Sequence, residues 1–519
     1  MTVGGVSPTA LGGLVSAVTL AGNSRDRIEV RAPYTGEVLG AIPAANEADV
    51  DHAIALARSA QPAWAAMRFA DRGRILLRFH DLLLDQQNEI LDIIQWETGK
   101  ARRHAFEEVL DTAIAARYYA RRAGKFLRPR RRKGAFPLFT KTYEVRAPYG
   151  VAGFIIPWNF PLTLGITDAI PAVLAGNAAI LKPDPQTSFT ALWAVNLLRE
   201  AGLPRHVIQV VTGEGPTAGQ ALVDRADYVM FTGSNRTGKR IAARAGERLV
   251  GCSLELGGKN PMIVLADADL NSATEGAVRA CFAGAGQVCV SIERIYVEAP
   301  VYSEFVTRFA DRTRRIKLGA AFDYSMEVGS LTTAAQVQRA EDHVADAVAK
   351  GATVVAGGRR RPDLGPMFFE PTILTGVREG MELFKQETFG PVVAVYQVAN
   401  ADEAVARANE TDFGLSASIW TRDTARGRRI GREIRSGSVN INEGYAATWG
   451  SVDSPIGGMK QSGLHPRHGA EGILKFTQSQ TIAVQRVMPI APAFGMSQEF
   501  FVRWMTQLLR ILRRIRGLG

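Results

Sequence analysis

From residue 151 onward the sequence alternates short apolar runs with stretches whose apolar residues recur at helical spacing. The runs at 151–157, 178–181, 207–211, 228–232 and 253–256 make one series, and those at 262–265, 294–298, 354–356, 391–398 and 438–441 make a second. Runs this short read as strands buried on both faces. Strands that alternate with helices pair in parallel, because a parallel partner is reached only through a crossover. Two series therefore predict two α/β domains, each with a ligand crevice at the carboxyl ends of its strands. A chain of 519 residues holds two such domains with room for further elements.

Ahead of this region, 49–67, 72–96 and 106–123 carry helical periodicity, so the N-terminal part is expected to be mainly helical. The segments 141–146 and 481–487 alternate in character, which suits β segments outside either sheet whose edges take a partner. The first 22 residues are rich in small residues and lack a basic start, so they read as a flexible leader and not as an export signal.

The net charge is +11, and it is unevenly placed. Residues 117–133 carry nine Lys and Arg and 503–516 carry five, with no acid in either, so the remainder stands at −3. A general nucleic-acid binder is thereby disfavoured. Three cysteines, Cys252, Cys281 and Cys289, in no CxxC spacing predict neither a disulfide framework nor a thiolate metal site. No stretch reaches the roughly 18 consecutive apolar residues of a membrane span, and a cytoplasmic location is expected.

Gly286-Gln-Val-Cys289 sets a thiol on a Gly-rich turn just before a strand. At a sheet edge such a thiol is partly exposed with a lowered pKa, the state a nucleophile needs. Cys252 and Cys281 read as buried structural cysteines. In Leu254-Glu255-Leu256-Gly257-Gly258-Lys259-Asn260-Pro261 one carboxylate stands between two leucines at a strand end. Apolar surroundings raise a carboxyl pKa toward that of a general base. Pro157-Trp158-Asn159-Phe160-Pro161 fixes an amide donor between aromatics, where it can hold an oxyanion. The run from Phe231 to Gly238 follows a strand and opens a helix, so Gly233 and Ser234 offer backbone N–H groups and a helix dipole to a pyrophosphate. Its spacing matches neither a P-loop nor GxGxxG. Lys182, at another strand end, offers a cation to a ribose or phosphate.

Taken singly, each motif has a bland reading: a buried cysteine, a solvated glutamate, a turn asparagine. Together, in order and spacing, they resemble the aldehyde dehydrogenase superfamily over roughly 31–487. Glu387-Thr-Phe-Gly-Pro391 and the segment from Pro455 to Gly463 resemble two further signatures of that family. Two positions depart from it: Gly284 stands where Asn is usual, and Ser291 replaces a small apolar residue or Asn, changes expected to bear on the substrate channel.

The resemblance implies an α/β fold with two parallel-sheet, Rossmann-like domains and a β oligomerisation arm. The expected division is a leader at 1–24, a dinucleotide-binding domain at 25–124 and 147–258, and a catalytic domain at 259–437. The arm is expected at 125–146 and 476–490, with 438–475 returning to the cleft and a basic amphipathic tail at 491–519. It further implies that Cys289 attacks an aldehyde, that the Asn159 amide and the Cys289 N–H hold the oxyanion, and that Glu255 activates water to hydrolyse the thioester. Glu387 and Phe389 fall to the nicotinamide ribose and its surroundings, and Trp158, Lys182, Gly233 and Ser234 to the rest of the dinucleotide. Where NAD⁺-preferring members commonly have Glu, this chain has Pro185, so NADP⁺ is expected, with NAD⁺ as the alternative and no metal.

The pattern looks most like NADP-linked succinate-semialdehyde dehydrogenases. The arginines that bind the substrate carboxylate in such enzymes correspond here to Thr167 and Ala283, which makes an apolar or aromatic aldehyde the rival substrate. A homodimer or homotetramer is expected. At 500–516 a helix would set Phe501, Trp504, Met505, Leu508, Leu512 and Ile515 on one stripe and arginines opposite. That stripe suits either an anionic membrane surface or packing on protein.

Overall fold

Both series of apolar runs become sheets. In the first, Gly251–Glu255, Tyr228–Thr232, Val151–Ile155, Ala178–Lys182 and Ile208–Val210 lie side by side in that order and parallel, with the short Gly463–Leu464 added antiparallel on the Gly251–Glu255 edge. The chain leaves Val151–Ile155 toward Ala178–Lys182 and later returns to its other side with Tyr228–Thr232. Strand order reverses there, so a crevice opens beyond Ile155 and Thr232. Apolar clusters cover both faces: the helices of 69–127 pack on one, and Val50 of the helix at 47–66, Leu222 and Ile241 lie on the other.

The computed structural model describes residues 8–22, 24–134, 136 and 139–514. Its second sheet runs Thr353–Ala356, Thr372–Thr375, Val392–Val398, Ile292–Glu298, Asn260–Val264, Ser416–Trp420 and Ser438–Ile441. Two of these strands are absent from the sequence reading, Thr372–Thr375 because it is so short and Ser416–Trp420 because its serines break the apolar run. Ser418 is fully buried nonetheless, its hydroxyl donating to the Glu443 carbonyl at 2.6 Å. Thr353–Ala356 pairs antiparallel, so this sheet is mixed at one edge. Only four residues join Glu255 to Asn260, which sets the carboxyl ends of the first sheet against the amino ends of the second.

The helical expectations hold with adjusted bounds. Glu47–Ala66 starts at a capping box of Asn46 and Asp49, and the expected helix at 72–96 is two helices, Phe69–Asp85 and Gln87–Thr98. Arg102–Leu127 carries the first part of the basic run. A hairpin of Arg27–Arg31 and Val38–Pro43 went unread. The leader is a correction: 8–14 is helical, Leu11 and Ala17 are buried, and Thr19 N–H donates to the Val210 carbonyl at 2.8 Å, so 8–19 docks on the first sheet. Residues 1–7 and 23 of that segment lie outside the described residues.

Thr140–Pro148 pairs antiparallel with Thr477–Gln485 and with Arg130–Arg132, making a separate three-stranded arm. Thr477–Gln485 is an edge strand and exposed beyond Thr477. The tail forms the helix Gln498–Leu512. Its apolar stripe turns toward protein, with Phe501 buried, Trp504, Met505, Leu508 and Leu512 half-buried, and Trp504 stacked on Phe139 at 6.2 Å. The stripe thus packs at least in part on the chain's own surface, one of its two expected settings; Ile515 and Arg516 lie outside the described residues.

Candidate active site

Cys289 follows a backbone stretch that few residues adopt. Gly284, Ala285 and Gly286 all have positive φ, at 55°, 55° and 72°. Asn is the other residue that tolerates this region readily, so Gly284 keeps the backbone of the family's usual Asn. At Gly286 a Cβ would also meet the Gly390 carbonyl oxygen at 2.2 Å, so only glycine fits. Asn260 Nδ2 then donates to the carbonyls of Cys289 and Ser291, both at 2.8 Å, and fixes the loop against the second sheet. Ser291 is buried, and its hydroxyl lies 3.1 and 3.2 Å from the Ala280 and Cys281 carbonyls. It closes the end of the helix Leu270–Phe282 and does not line the substrate channel, against expectation.

The thiol departs from expectation too. Cys289 precedes an interior strand, is half-buried, and its pKa is pushed up to about 12 by burial and by the nearby Glu255 and Glu387 carboxyls. At neutral pH the resting group is a thiol, so attack needs a base. Cys281 is fully buried, as expected, and Cys252 is half-buried.

Glu255 ends its strand almost buried, with Oε1 lacking a hydrogen-bond partner. Burial raises its pKa to about 7; Arg467 and Lys475 oppose the shift, and Asp168 adds to it. That value suits a general base near neutral pH. The cluster behind it was not read from sequence. Arg467 donates to Asp168 at 2.7 Å and to Thr167 Oγ1 at 2.8 Å, while Lys475 meets Asp168 at 3.3 Å. A His-flanked arginine near the C-terminal end of the family signature carries no local sequence signal for this role.

Asn159 Nδ2 donates to the Gln287 carbonyl at 2.9 Å, joining the amide to the cysteine loop. A side-chain amide has two N–H groups, so one remains for a developing oxyanion. The loop bearing Asn159 is held by another pair invisible in the sequence. Lys100 Nζ donates to the Asn159 carbonyl and to Glu108, both at 2.6 Å, and lies 3.7 Å from the centre of the Phe160 ring. Glu108 in turn accepts from the N–H groups of Leu162 and Thr163.

Two cavities meet at Cys289 and Asn159. One, of about 720 Å³ including its open mouth, is lined among others by Trp158, Gly233, Ser234, Glu255, Glu387 and Phe389. The structure thus brings six of the expected residues together with Cys289 and Asn159; Lys182 and Pro185 lie outside that lining. Glu387 Oε1 accepts from Gly258 N–H at 2.7 Å, and burial followed by Glu293 pushes its pKa up to about 8. Phe389 holds φ at 54° and meets Trp158 edge-on at 5.6 Å. Glu293 fixes this segment by accepting from the Thr388 and Phe389 N–H groups while pairing with buried Lys259 at 2.5 Å. Gly233 N–H donates to the Glu255 carbonyl at 3.0 Å and so is not offered to a pyrophosphate as expected, while Ser234, in the cleft lining, caps the helix Asn235–Glu247. Lys182 is buried beside Asp184 and Glu214, and burial lowers its pKa.

The second cavity is an apolar channel of about 730 Å³, walled by Phe160, Leu164, Val288, Tyr445 and Trp449. Arg279 is the one cation among its described lining, 3.4 Å from Glu443 and 3.9 Å from Glu107. Burial raises the Glu107 pKa and takes that of Asp111, also in the wall, to about 7. Neither Thr167 nor Ala283 lines the channel.

The aldehyde dehydrogenase family model matches residues 20–482. The chain belongs to the aldehyde dehydrogenase family. A relative in Mycobacterium tuberculosis named "Putative succinate-semialdehyde dehydrogenase [NADP(+)] 2" is 49% identical over 482 residues, covering 93% of this chain and 92% of its own. Among solved structures, an NADP-dependent enzyme of E. coli is 33% identical at a TM-score of 0.87, covering 92% of this aldehyde dehydrogenase and 99% of its own chain. An NAD-dependent aldehyde dehydrogenase of Sinorhizobium meliloti is 35% identical at 0.87, covering 92% and 94%. The enzyme's α/β architecture is that of these neighbours.

Proposed function

We propose that this aldehyde dehydrogenase oxidises succinate semialdehyde to succinate with NADP⁺. The observation that carries the substrate reading is Arg279, a half-exposed residue and the one cation among the described lining of a mainly apolar channel that ends at Cys289 and also holds Glu107 and Asp111. Its two carboxylate partners sit at loose distances, which leaves guanidinium N–H groups for a substrate carboxylate. Arg279 stands one helical turn before Ala283, on the helix Leu270–Phe282, and takes the part expected of an arginine at 283. The mycobacterial relative's name supports the same substrate and cofactor.

In this reading the Cys289 sulfur attacks the aldehyde carbon as Glu255 receives the thiol proton. The free Asn159 N–H and the Cys289 N–H hold the oxyanion. The bound dinucleotide supplies the hydride acceptor. Glu255 first releases the thiol proton to solvent and then takes a proton from water, whose oxygen adds to the acyl carbon; the C–S bond breaks, and the departing sulfur takes the proton from Glu255 to re-form the thiol. Glu387 and Phe389 hold the nicotinamide ribose side, and Trp158, Gly233, Ser234 and Lys182 the remainder. Pro185 supplies no carboxylate where NAD⁺-preferring relatives commonly have Glu, and Asp184 beside it accepts from Gln186 N–H at 3.0 Å.

Arg279→Ala is expected to raise KM for succinate semialdehyde at least tenfold while leaving that for an uncharged aldehyde such as butanal within about twofold. The channel's apolar walls favour a second reading, an apolar or aromatic aldehyde. Wild-type kcat/KM higher for benzaldehyde than for succinate semialdehyde would establish it.

A further inference from the structure

The two segments that hold the protein's excess positive charge are nearly 400 residues apart in sequence, yet part of the first, Arg130–Arg132, belongs to the same arm on which the tail helix packs. Arg130–Arg132 forms the outer strand of the arm and is exposed throughout. The partner strand begins at Thr140, and Phe139 just before it stacks on Trp504 of the tail helix at 6.2 Å, with ring planes 21° apart. The Phe139 carbonyl also accepts from Arg486 N–H at 2.8 Å and from Gln485 at 3.0 Å. The arginine strand, the segment after 485 and the tail helix thus meet at one end of the arm.

The outward face there is not simply basic. With the stripe through Phe501 and Leu508 turned inward, Arg503, Arg510, Arg513 and Arg514 form the centre of the helix's exposed face. At ~100° per residue, Val502 and Leu509 flank them on one side and Phe500 and Ile511 on the other. All four are exposed, and in the connection before the helix Phe494 is 84% exposed. No acid occurs from 503 to 514 or from 117 to 133.

We propose that this end of the arm is a docking surface for an anionic lipid bilayer. A cationic ridge flanked by apolar side chains is the form of a helix that lies in the lipid interface, apolar groups entering the acyl boundary and arginines meeting headgroups. Charge complementarity alone would suit a polyanion such as RNA equally, but a polyanion leaves Phe494, Leu509 and Ile511 in water. The aldehyde dehydrogenase is held at the membrane surface without a spanning segment: no helix among the described residues is long and apolar enough to cross one.

The test is sedimentation of the full-length enzyme with vesicles of phosphatidylcholine alone and of an equal mixture of phosphatidylglycerol and phosphatidylcholine. Binding is expected to the mixed vesicles only. Arg510→Gln with Arg514→Gln is expected to weaken it roughly tenfold or more at physiological salt, and Phe494→Ser with Leu509→Ser to weaken it at unchanged net charge. Wild-type turnover and oligomeric state in both variants show that the fold is intact. Equal binding to both vesicle types overturns the proposal, as does full binding by the serine variant, which would mean adsorption by charge alone. A changed oligomeric state in either variant, measured by light scattering, assigns the face to a contact between copies and also overturns it.

Discussion

At the scale of single residues the site is a pair of mismatched acids. With its pKa at about 12 the Cys289 thiol cannot ionise by itself near neutral pH, whereas Glu255 at about 7 can take its proton. Below 7 Glu255 is protonated and cannot serve as a base; above 7 it is a carboxylate and can. The kcat/KM profile is therefore expected to climb about tenfold per pH unit below about 7 and then level, and Glu255→Gln should abolish that limb. Arg467 lowers the Glu255 pKa, so Arg467→Met is expected to move the limb to higher pH, while Lys475 still pairs with Asp168. A limb unmoved in Arg467→Met would mean that the cation does not act on Glu255. Cofactor choice belongs here as well: Pro185→Glu is expected to raise the NAD⁺ to NADP⁺ ratio of kcat/KM by adding ribose acceptors and repelling a 2′-phosphate.

At the scale of elements, the loops around the site are set by backbone needs and by buried charge. Gly284→Asn is expected to leave kcat and Tm nearly unchanged, because Asn accepts φ near +55° and a Cβ there meets only ordinary contacts. Gly286→Ala should cost most of the activity through its collision with Gly390. Breaking the Lys100–Glu108 pair with Lys100→Met leaves a buried acid without its cation, with an expected loss of about 3–5 kcal/mol in denaturant unfolding and a fall in kcat as Asn159 loses its brace. Much of this level was legible in the sequence. Most strands, Cys289, Glu255 and Asn159 follow from apolar runs and from short motifs whose residue types carry chemistry, whereas Thr372–Thr375, Ser416–Trp420 and the hairpin at Arg27–Arg31 do not. What was not legible depends on contacts distant in sequence: Lys100 reaching Asn159, Arg467 reaching Asp168, and the burial that raises the Cys289 pKa against the lowering expected from its Gly-rich turn. Arg279 lacks a motif, and its value appears only when its helix is seen to face the channel.

At the scale of the whole molecule, the arm leaves Thr477–Gln485 as an exposed edge whose Ile482 and Val484 stand in solvent. Exposed edges with apolar side chains take partners, and we infer that the arm joins copies of the enzyme. Ile482→Lys with Val484→Lys is expected to lower the mass measured by light scattering; an unchanged mass would place the subunit contact elsewhere. The central claim is narrower, that Cys289 carries the acyl group and Glu255 releases it. It is tested most directly by mixing the Glu255→Gln enzyme with NADP⁺ and an aldehyde the wild type oxidises, then quenching and mapping peptides by mass spectrometry. With attack slowed by loss of the base and release blocked, slow NADPH formation that stops near one per active site is expected, together with an acyl adduct on the Cys289 peptide that persists after the aldehyde is removed, and no NADPH from Cys289→Ala; NADPH with no adduct on Cys289, or NADPH from Cys289→Ala, would contradict the account.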